Sequence, residues 1–125
     1  MTDTRNRKTI LVVDDMPENI DFLAGILMSE YVVKAATSGR MALQIDTTDP
    51  PDLIFLDAVM SGMDGPEVLR LLKSDERTRL IPVVFVSSKE TSDIQSETAG
   101  HEVAAYLSKP LAPDEVIKTA RRCIL

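Results

Sequence analysis

The stretch PDLIFLDAVMSGMDGPEVLRLLK, residues 51–73, holds the change of period on which the fold turns. Its first part, Leu53-Ile54-Phe55-Leu56, is a continuous apolar run that ends on Asp57. A strand with one face in water alternates apolar and polar residues, whereas an unbroken run suits a strand covered on both faces of a parallel sheet. Its second part opens at Asp64, whose carboxylate can cap a helix, with Pro66 in the first turn. Val68, Leu69, Leu71 and Leu72 then form one apolar stripe at helical spacing. One strand, one loop and one helix are legible in 23 residues of sequence.

The same unit recurs on either side. Apolar runs at Ile10–Val13, Tyr31–Ala35 and Val83–Val86, and a weaker one at Ala104–Leu107, read as further strands. A helix with Pro17 in its first turn would bury Ile20, Leu23, Ala24 and Leu27, and a shorter one after Ser38 would bury Ala42, Leu43 and Ile45. A last helix after Pro113 would bury Val116, Ile117, Ala120 and Ile124. Between Thr91 and His101 only Ile94 and Ala99 are apolar, which predicts a short, thinly anchored helix. Strands alternating with helices connect right-handedly into a doubly wound sheet. Five such units predict an α/β fold with a five-stranded parallel sheet, flavodoxin-like (βα)5, in strand order 2-1-3-4-5. At 125 residues the chain is read as a single domain, 1–125, with residues 1–8, including Arg5, Arg7 and Lys8, as a flexible tail.

Fourteen Lys and Arg against twenty Asp and Glu leave a formal charge of −6. That balance argues against direct nucleic-acid or anionic-membrane binding, since phosphate backbones are held by cations. Cys123 is the single cysteine and lies among helical apolar positions, so it reads as a packed thiol with no disulfide or cysteine metal cage to join. His101, the single histidine, reads as a surface or capping residue. No stretch approaches the ~20 apolar residues of a membrane span and no signal-peptide apolar region opens the chain, so a cytoplasmic location is expected.

In an open α/β sheet, ligands bind at the carboxyl ends of the strands. Here those ends carry Asp14-Asp15, Asp57, Ser87 and Lys109-Pro110. Taken singly, each aspartate is a turn or cap residue, Ser87 a loop hydroxyl and Lys109 a solvated charge. Taken together, three acids on neighbouring strands repel one another unless a cation lies between them. Mg²⁺ suits oxygen ligands, and the absence of His and Cys from these segments argues against zinc. With the metal present, Asp57 on the central strand is the expected nucleophile toward phosphorus, giving an acyl phosphate. Asp14 and Asp15 are expected to hold the metal, directly or through water, with Asp57 and a backbone carbonyl near Val59. Lys109 would neutralise a second phosphoryl oxygen and Ser87 would donate to a third. The Lys109-Pro110 bond is a place for a cis peptide, which would aim the lysine inward.

These segments, "ILVVDD", "PDLIFLDAVMSGMDG", "IPVVFVSS" and "YLSKP", resemble in order and spacing the receiver domain of bacterial two-component response regulators. The likeness runs from Ile10 to about Ile124. It implies Asp57 as phosphoacceptor, Asp14 and Asp15 as metal ligands, Ser87 as switch hydroxyl, Lys109 as phosphate-contacting lysine and Tyr106 as switch aromatic. It also implies a sensor histidine kinase or histidine phosphotransfer protein as donor, and a downstream protein target or output domain as recipient of the signal. Val59 and Lys89 fall where the family tunes acyl-phosphate lifetime. Several positions depart from the family pattern. Ser87 stands for the commoner Thr, Ser88 for Ala and Leu111 for Phe, and the Gly100–Glu102 region is shifted. Ser61 replaces a usual proline, so the loop after Asp57 is expected to be less rigid. A flavodoxin-like electron carrier would need a phosphate loop where Asp14-Asp15-Met16-Pro17-Glu18-Asn19 stands. A phosphatase of similar site would need an acid in place of Val59. A degenerate receiver that serves only as a protein-binding module stays open, as does the choice between a stand-alone regulator and a receiver belonging to a longer protein.

Overall fold

The computed structural model describes residues 7–88 and 91–124. Five strands and five helices alternate: β1 Thr9–Val13, α1 Pro17–Leu27, β2 Val32–Ala36, α2 Gly39–Thr48, β3 Leu53–Asp57, α3 Gly65–Lys73, β4 Val83–Ser87, α4 Thr91–Glu97, β5 Ala105–Ser108 and α5 Pro113–Cys123. All neighbouring strands are parallel, in the order β2-β1-β3-β4-β5. This is the doubly wound sheet that the alternation of periods predicts. The second and fifth strands begin one residue later than their apolar runs do, because Tyr31 and Ala104 lie before the first ladder pair.

The unbroken apolar runs are covered on both faces. β3 and β4 are buried throughout and β1 from Ile10 onward, whereas the edge strands β2 and β5 stay partly open. Period-two alternation divides the core. Leu11, Val13, Ile54, Leu56, Val83 and Phe85 pack with residues of α2, α3 and α4. Ile10, Val12, Leu53, Phe55, Val84 and Val86 pack with α1 and α5 on the other face.

Helix starts follow local chemistry. Ser38 caps α2 by accepting the Met41 N–H at 3.1 Å, Asp64 caps α3 by accepting from Glu67 at 3.1 Å, and prolines open α1, α3 and α5. The buried faces differ in part from those predicted. In α2, Leu43 and Ile45 are half-buried, and Asp46 joins Gly39 and Ala42 inside instead. Leu71, Ala24 and Ile124 are likewise half-buried. The short α4 is anchored by Ile94, and past its end Thr98 is buried while Ala99 is exposed. Cys123 is half-buried against the α1–α5 core, and His101 is exposed. Of the expected tail, Arg7 donates to the Met28 carbonyl at 3.1 Å and the Lys8 carbonyl accepts from Val32 at 2.9 Å. Residues 1–6, with Arg5, lie outside the described residues, as does Lys89. Among the described residues, no helix is long and apolar enough to cross a membrane.

Gly65 joins α3 to the end of β3. Its N–H donates to the Ala58 carbonyl at 3.0 Å, and an added Cβ would lie 2.6 Å from the Asp57 carbonyl oxygen and 2.8 Å from the Phe85 ring. Neither the backbone of the central strand nor a fully buried ring can yield cheaply. Gly65→Ala is therefore expected to cost about 3 kcal/mol or more, at the upper end for overpacking. Urea unfolding would check it, and a loss under about 1 kcal/mol would show that the β3–α3 junction gives way.

Candidate functional site

In this strand order the connections leave β1 and β3 in opposite directions, opening a crevice at their carboxyl ends. Val13 pairs with Leu56, so the next residues, Asp14 and Asp57, emerge side by side. Asp14 and Asp57 are buried and Asp15 is half-buried. One carboxylate oxygen from each of the three lies within 4.8 Å of the others. The sequence-predicted acids are thus brought together.

Each acid also accepts a backbone N–H. Met16 donates to Asp14 Oδ1 at 2.9 Å and Val59 to Asp57 Oδ1 at 3.2 Å, both across two residues in the manner of an Asx turn. The third is a long-range bond, in which the Ser61 N–H donates to Asp15 Oδ2 at 2.9 Å. Lys109 Nζ stands 3.6 Å from Asp14 Oδ2 and 3.7 Å from Asp57 Oδ2, a charge contact longer than a hydrogen bond. The Lys109-Pro110 bond is cis, and the Lys109 N–H donates to the Ser87 carbonyl at 2.9 Å. Ser87 itself is buried at the end of β4, next to Val86, which pairs with Asp57.

The Lys109 ammonium therefore faces two of the three clustered carboxyls. Burial foremost pushes the Asp57 carboxyl up to about 6; the Val59 N–H opposes the rise, the Asp14 charge adds to it, and Lys109 opposes it. A small, hard cation relieves this imbalance, and an all-oxygen donor set of this size fits Mg²⁺. Val59 follows Asp57 in the loop with its side chain half exposed. Beside the acids a cleft of about 220 Å³ opens between α1 and the loop after β5, lined by Asp14, Phe22, Leu23, Lys109, Pro110 and Leu111 among others.

Tyr106 lies on β5, half-buried, with its ring stacked on Phe85 at 6.2 Å between centroids and 16° between planes. Its hydroxyl is 3.0 Å from Thr98 Oγ1, and Thr98 donates its own proton to the Ile94 carbonyl at 2.8 Å. Tyr106 is therefore the donor to Thr98. Thr98 was not among the residues singled out from sequence, because a threonine just past a short helix carries no local sign of a partner on a strand. Nor was the bond from Ser61 to Asp15, which joins residues 46 apart.

Comparison with known proteins accords with this geometry. The family model described as the response regulator receiver domain matches residues 10–121. A probable cyclic di-GMP phosphodiesterase of Vibrio cholerae is 43% identical over 106 residues, 83% of this chain and 24% of that protein. The response regulator PleD of Caulobacter vibrioides is 40% identical over 90% of this chain and 24% of its own length. The chain thus spans about a quarter of these relatives. Among solved structures, the receiver domain of NtrX from Brucella abortus superposes with a TM-score of 0.83 at 30% identity, covering 92% of this chain and 97% of that one. From the sheet order, the convergent acids and a family match over nearly its whole length, this chain belongs to the response regulator receiver domains of two-component signalling.

Proposed function

We propose that this receiver takes a phosphoryl group on Asp57, with Mg²⁺, from a phosphohistidine donor, and that the modification switches a protein-binding surface. The observation that carries the reading is the meeting of Asp14, Asp15 and Asp57 within 4.8 Å, faced by Lys109, in the crevice between β1 and β3. Asp14, Asp15, Asp57 and the Val59 carbonyl would hold the metal. When bound, Mg²⁺ neutralises charge on the phosphoryl oxygens and on the acids around them.

The chain's own groups supply the rest. The Val59 N–H holds Asp57 Oδ1, leaving Oδ2, on the side of Lys109, as the attacking atom. An Oδ2–P bond forms as the P–N bond to the donor imidazole breaks, and the imidazole leaves with the bonding pair. Lys109 shifts from the two carboxylates to an equatorial oxygen of the incoming group, and the Ser87 hydroxyl donates to another. Water later cleaves the acyl phosphate slowly, so the domain regulates and does not turn over external substrates. The donor is a sensor histidine kinase or a histidine phosphotransfer protein, approaching over the cleft beside Asp14 and Lys109.

The phosphate adds about 1.5 to 2 negative charges to the site and draws Ser87 toward it. Tyr106, packed on Phe85, exchanges its bond to Thr98 for a turned position, and the short α4, whose buried apolar anchor is Ile94, moves with it. The α4–β5–α5 face so altered is what a downstream protein or output domain reads.

Intact mass before and after acetyl phosphate tests this reading. A gain of one phosphoryl group that requires Mg²⁺ and is lost with chelator is expected. A folded protein that gains nothing would instead be a degenerate receiver, working only as a binding module.

A further inference from the structure

Tyr106 pairs with Phe85, two residues short of Ser87 along β4, and its hydroxyl meets Thr98 Oγ1 at 3.0 Å. The helix of a parallel crossover runs back against its strands, so α4 leaves the carboxyl end of β4 and travels toward the amino ends of the sheet. Its seven residues span roughly 10 Å, and Thr98 follows the last of them. Thr98 and Ser87 therefore stand at opposite ends of α4, with Tyr106 reaching one of them. Thr98 has no freedom to follow the ring. It is buried, its N–H and its hydroxyl both donate to the Ile94 carbonyl, at 3.0 and 2.8 Å, and its own carbonyl accepts from His101 at 3.1 Å. With its proton committed to Ile94, the Thr98 oxygen is left as a fixed acceptor for the tyrosine.

We infer that Thr98 is a latch on the unphosphorylated arrangement: its hydroxyl oxygen holds the Tyr106 ring away from Ser87, and so sets how much of the protein is turned before a phosphoryl group arrives. This rests on the switch proposed above and adds to it the residue that opposes the turn. A ring turned toward Ser87 gives up Thr98, so the bond favours one arrangement only. A net intramolecular hydrogen bond of this kind changes an equilibrium constant by about threefold to tenfold. Where the turned arrangement is the minor one, the apparent affinity for a group that selects it is proportional to its population. Loss of the latch should raise that population and that affinity by the same factor.

The test is titration of the full chain, with Mg²⁺ present, by beryllofluoride, a tetrahedral mimic of a phosphoryl group on a carboxylate oxygen, followed by amide chemical shifts. Thr98→Val keeps the shape of the side chain and removes its oxygen, and it should bind beryllofluoride about threefold to tenfold more tightly than the parent. Thr98→Ser, which keeps the hydroxyl, should bind as the parent does. In a Tyr106→Phe background the valine substitution should change nothing, because the bond is already gone. Equal affinity in parent and Thr98→Val overturns the inference. So does an equal effect of the valine in both backgrounds, which would make Thr98 a support of α4 and no latch. Should Thr98→Val not fold, the parent decides through the nuclear Overhauser contact between the Tyr106 ring and the Thr98 methyl. A contact seen without beryllofluoride and lost with it supports the latch, and one seen in both states or in neither overturns it. A parent that takes no beryllofluoride at all would be a failure of the proposed function, separable from a parent that binds it as tightly as Thr98→Val does.

Discussion

Asp57→Asn is expected to abolish the gain of a phosphoryl group and, without Mg²⁺, to raise the stability of the fold. The amide is isosteric but is no nucleophile toward phosphorus, so the mass change with acetyl phosphate should vanish rather than slow. The stability gain has a separate cause. Burial and the neighbouring Asp14 charge push the Asp57 carboxyl up to about 6, against the Val59 N–H and Lys109. A carboxyl whose pKa is raised on folding stabilises fully only below its unfolded value, and that contribution is lost as pH rises through the folded one. Above about pH 6 the parent therefore carries an unfavourable charge that the amide lacks. The expected gain is about 1–3 kcal/mol, the upper figure being the full conversion of the shift. Excess Mg²⁺ should close the gap, because binding to the folded parent adds stability by mass action. Urea unfolding of both proteins with and without Mg²⁺ reads this. A variant still phosphorylated at the parent's rate would place the acceptor elsewhere, and one no more stable than the parent would mean the acids are already neutralised by other means.

The second large effect lies away from the site. Asp46 is fully buried on α2, and neither of its carboxylate oxygens has a hydrogen-bond partner among the described residues. Burial pushes its carboxyl up to about 7. Lys34 of β2, which pairs across to Leu11 and so points to the face that α2 covers, is engaged by Asp49 one turn further along. The sign is that of a raised acid. Asp46 is neutral in the folded protein at mildly acid pH, and the cost of ionising it accrues as pH rises from the unfolded value through about 7. Measured against Asp46→Ala, the parent should lose about 2–3 kcal/mol between about pH 5 and pH 8. The difference between the two proteins isolates this group, since every other titration is shared. Urea unfolding at both pH values gives it, and a gap that does not change with pH would show that the carboxylate ionises freely, with α2 shifted to admit water.

Asp46 also shows where sequence reading stops. The segment after Ser38 offers few apolar residues, and its helical phase rests on Ala42, Leu43 and Ile45. A rotation of the helix by one residue changes which of them face inward. The phase is fixed by α3: an added Cβ at Gly39 would lie 2.6 Å from Val68 Cγ2, so the two helices meet closely along that side. Gly39, Ala42 and Asp46, at spacings of three and four, then become the buried set. Where apolar residues are abundant the phase is better determined: Val68, Leu69 and Leu72 of α3 and Val116 and Ala120 of α5 are buried as their spacing predicts, while Leu71, Ile117 and Ile124 lie half-buried at the edges of the stripes.

The sequence by itself determined the alternation of strands and helices, the parallel sheet and its order, and the residue types at the strand ends. The alternation and the parallel sheet follow from local periodicity and from chirality rules that hold for any chain of this pattern, and the order is the flavodoxin-like one of the two common doubly wound orders. Only the tertiary structure decided the pairings across the chain: Ser61 on Asp15, Tyr106 on Thr98 and the burial of Asp46. A hydrogen bond across 46 residues, or between a strand tyrosine and a threonine past a short helix, depends on ångström-scale placement of two elements. Hydrophobic burial is non-directional and sets which elements pack together, while the final few tenths of an ångström that make or break a polar contact are set by the packing of all of them at once.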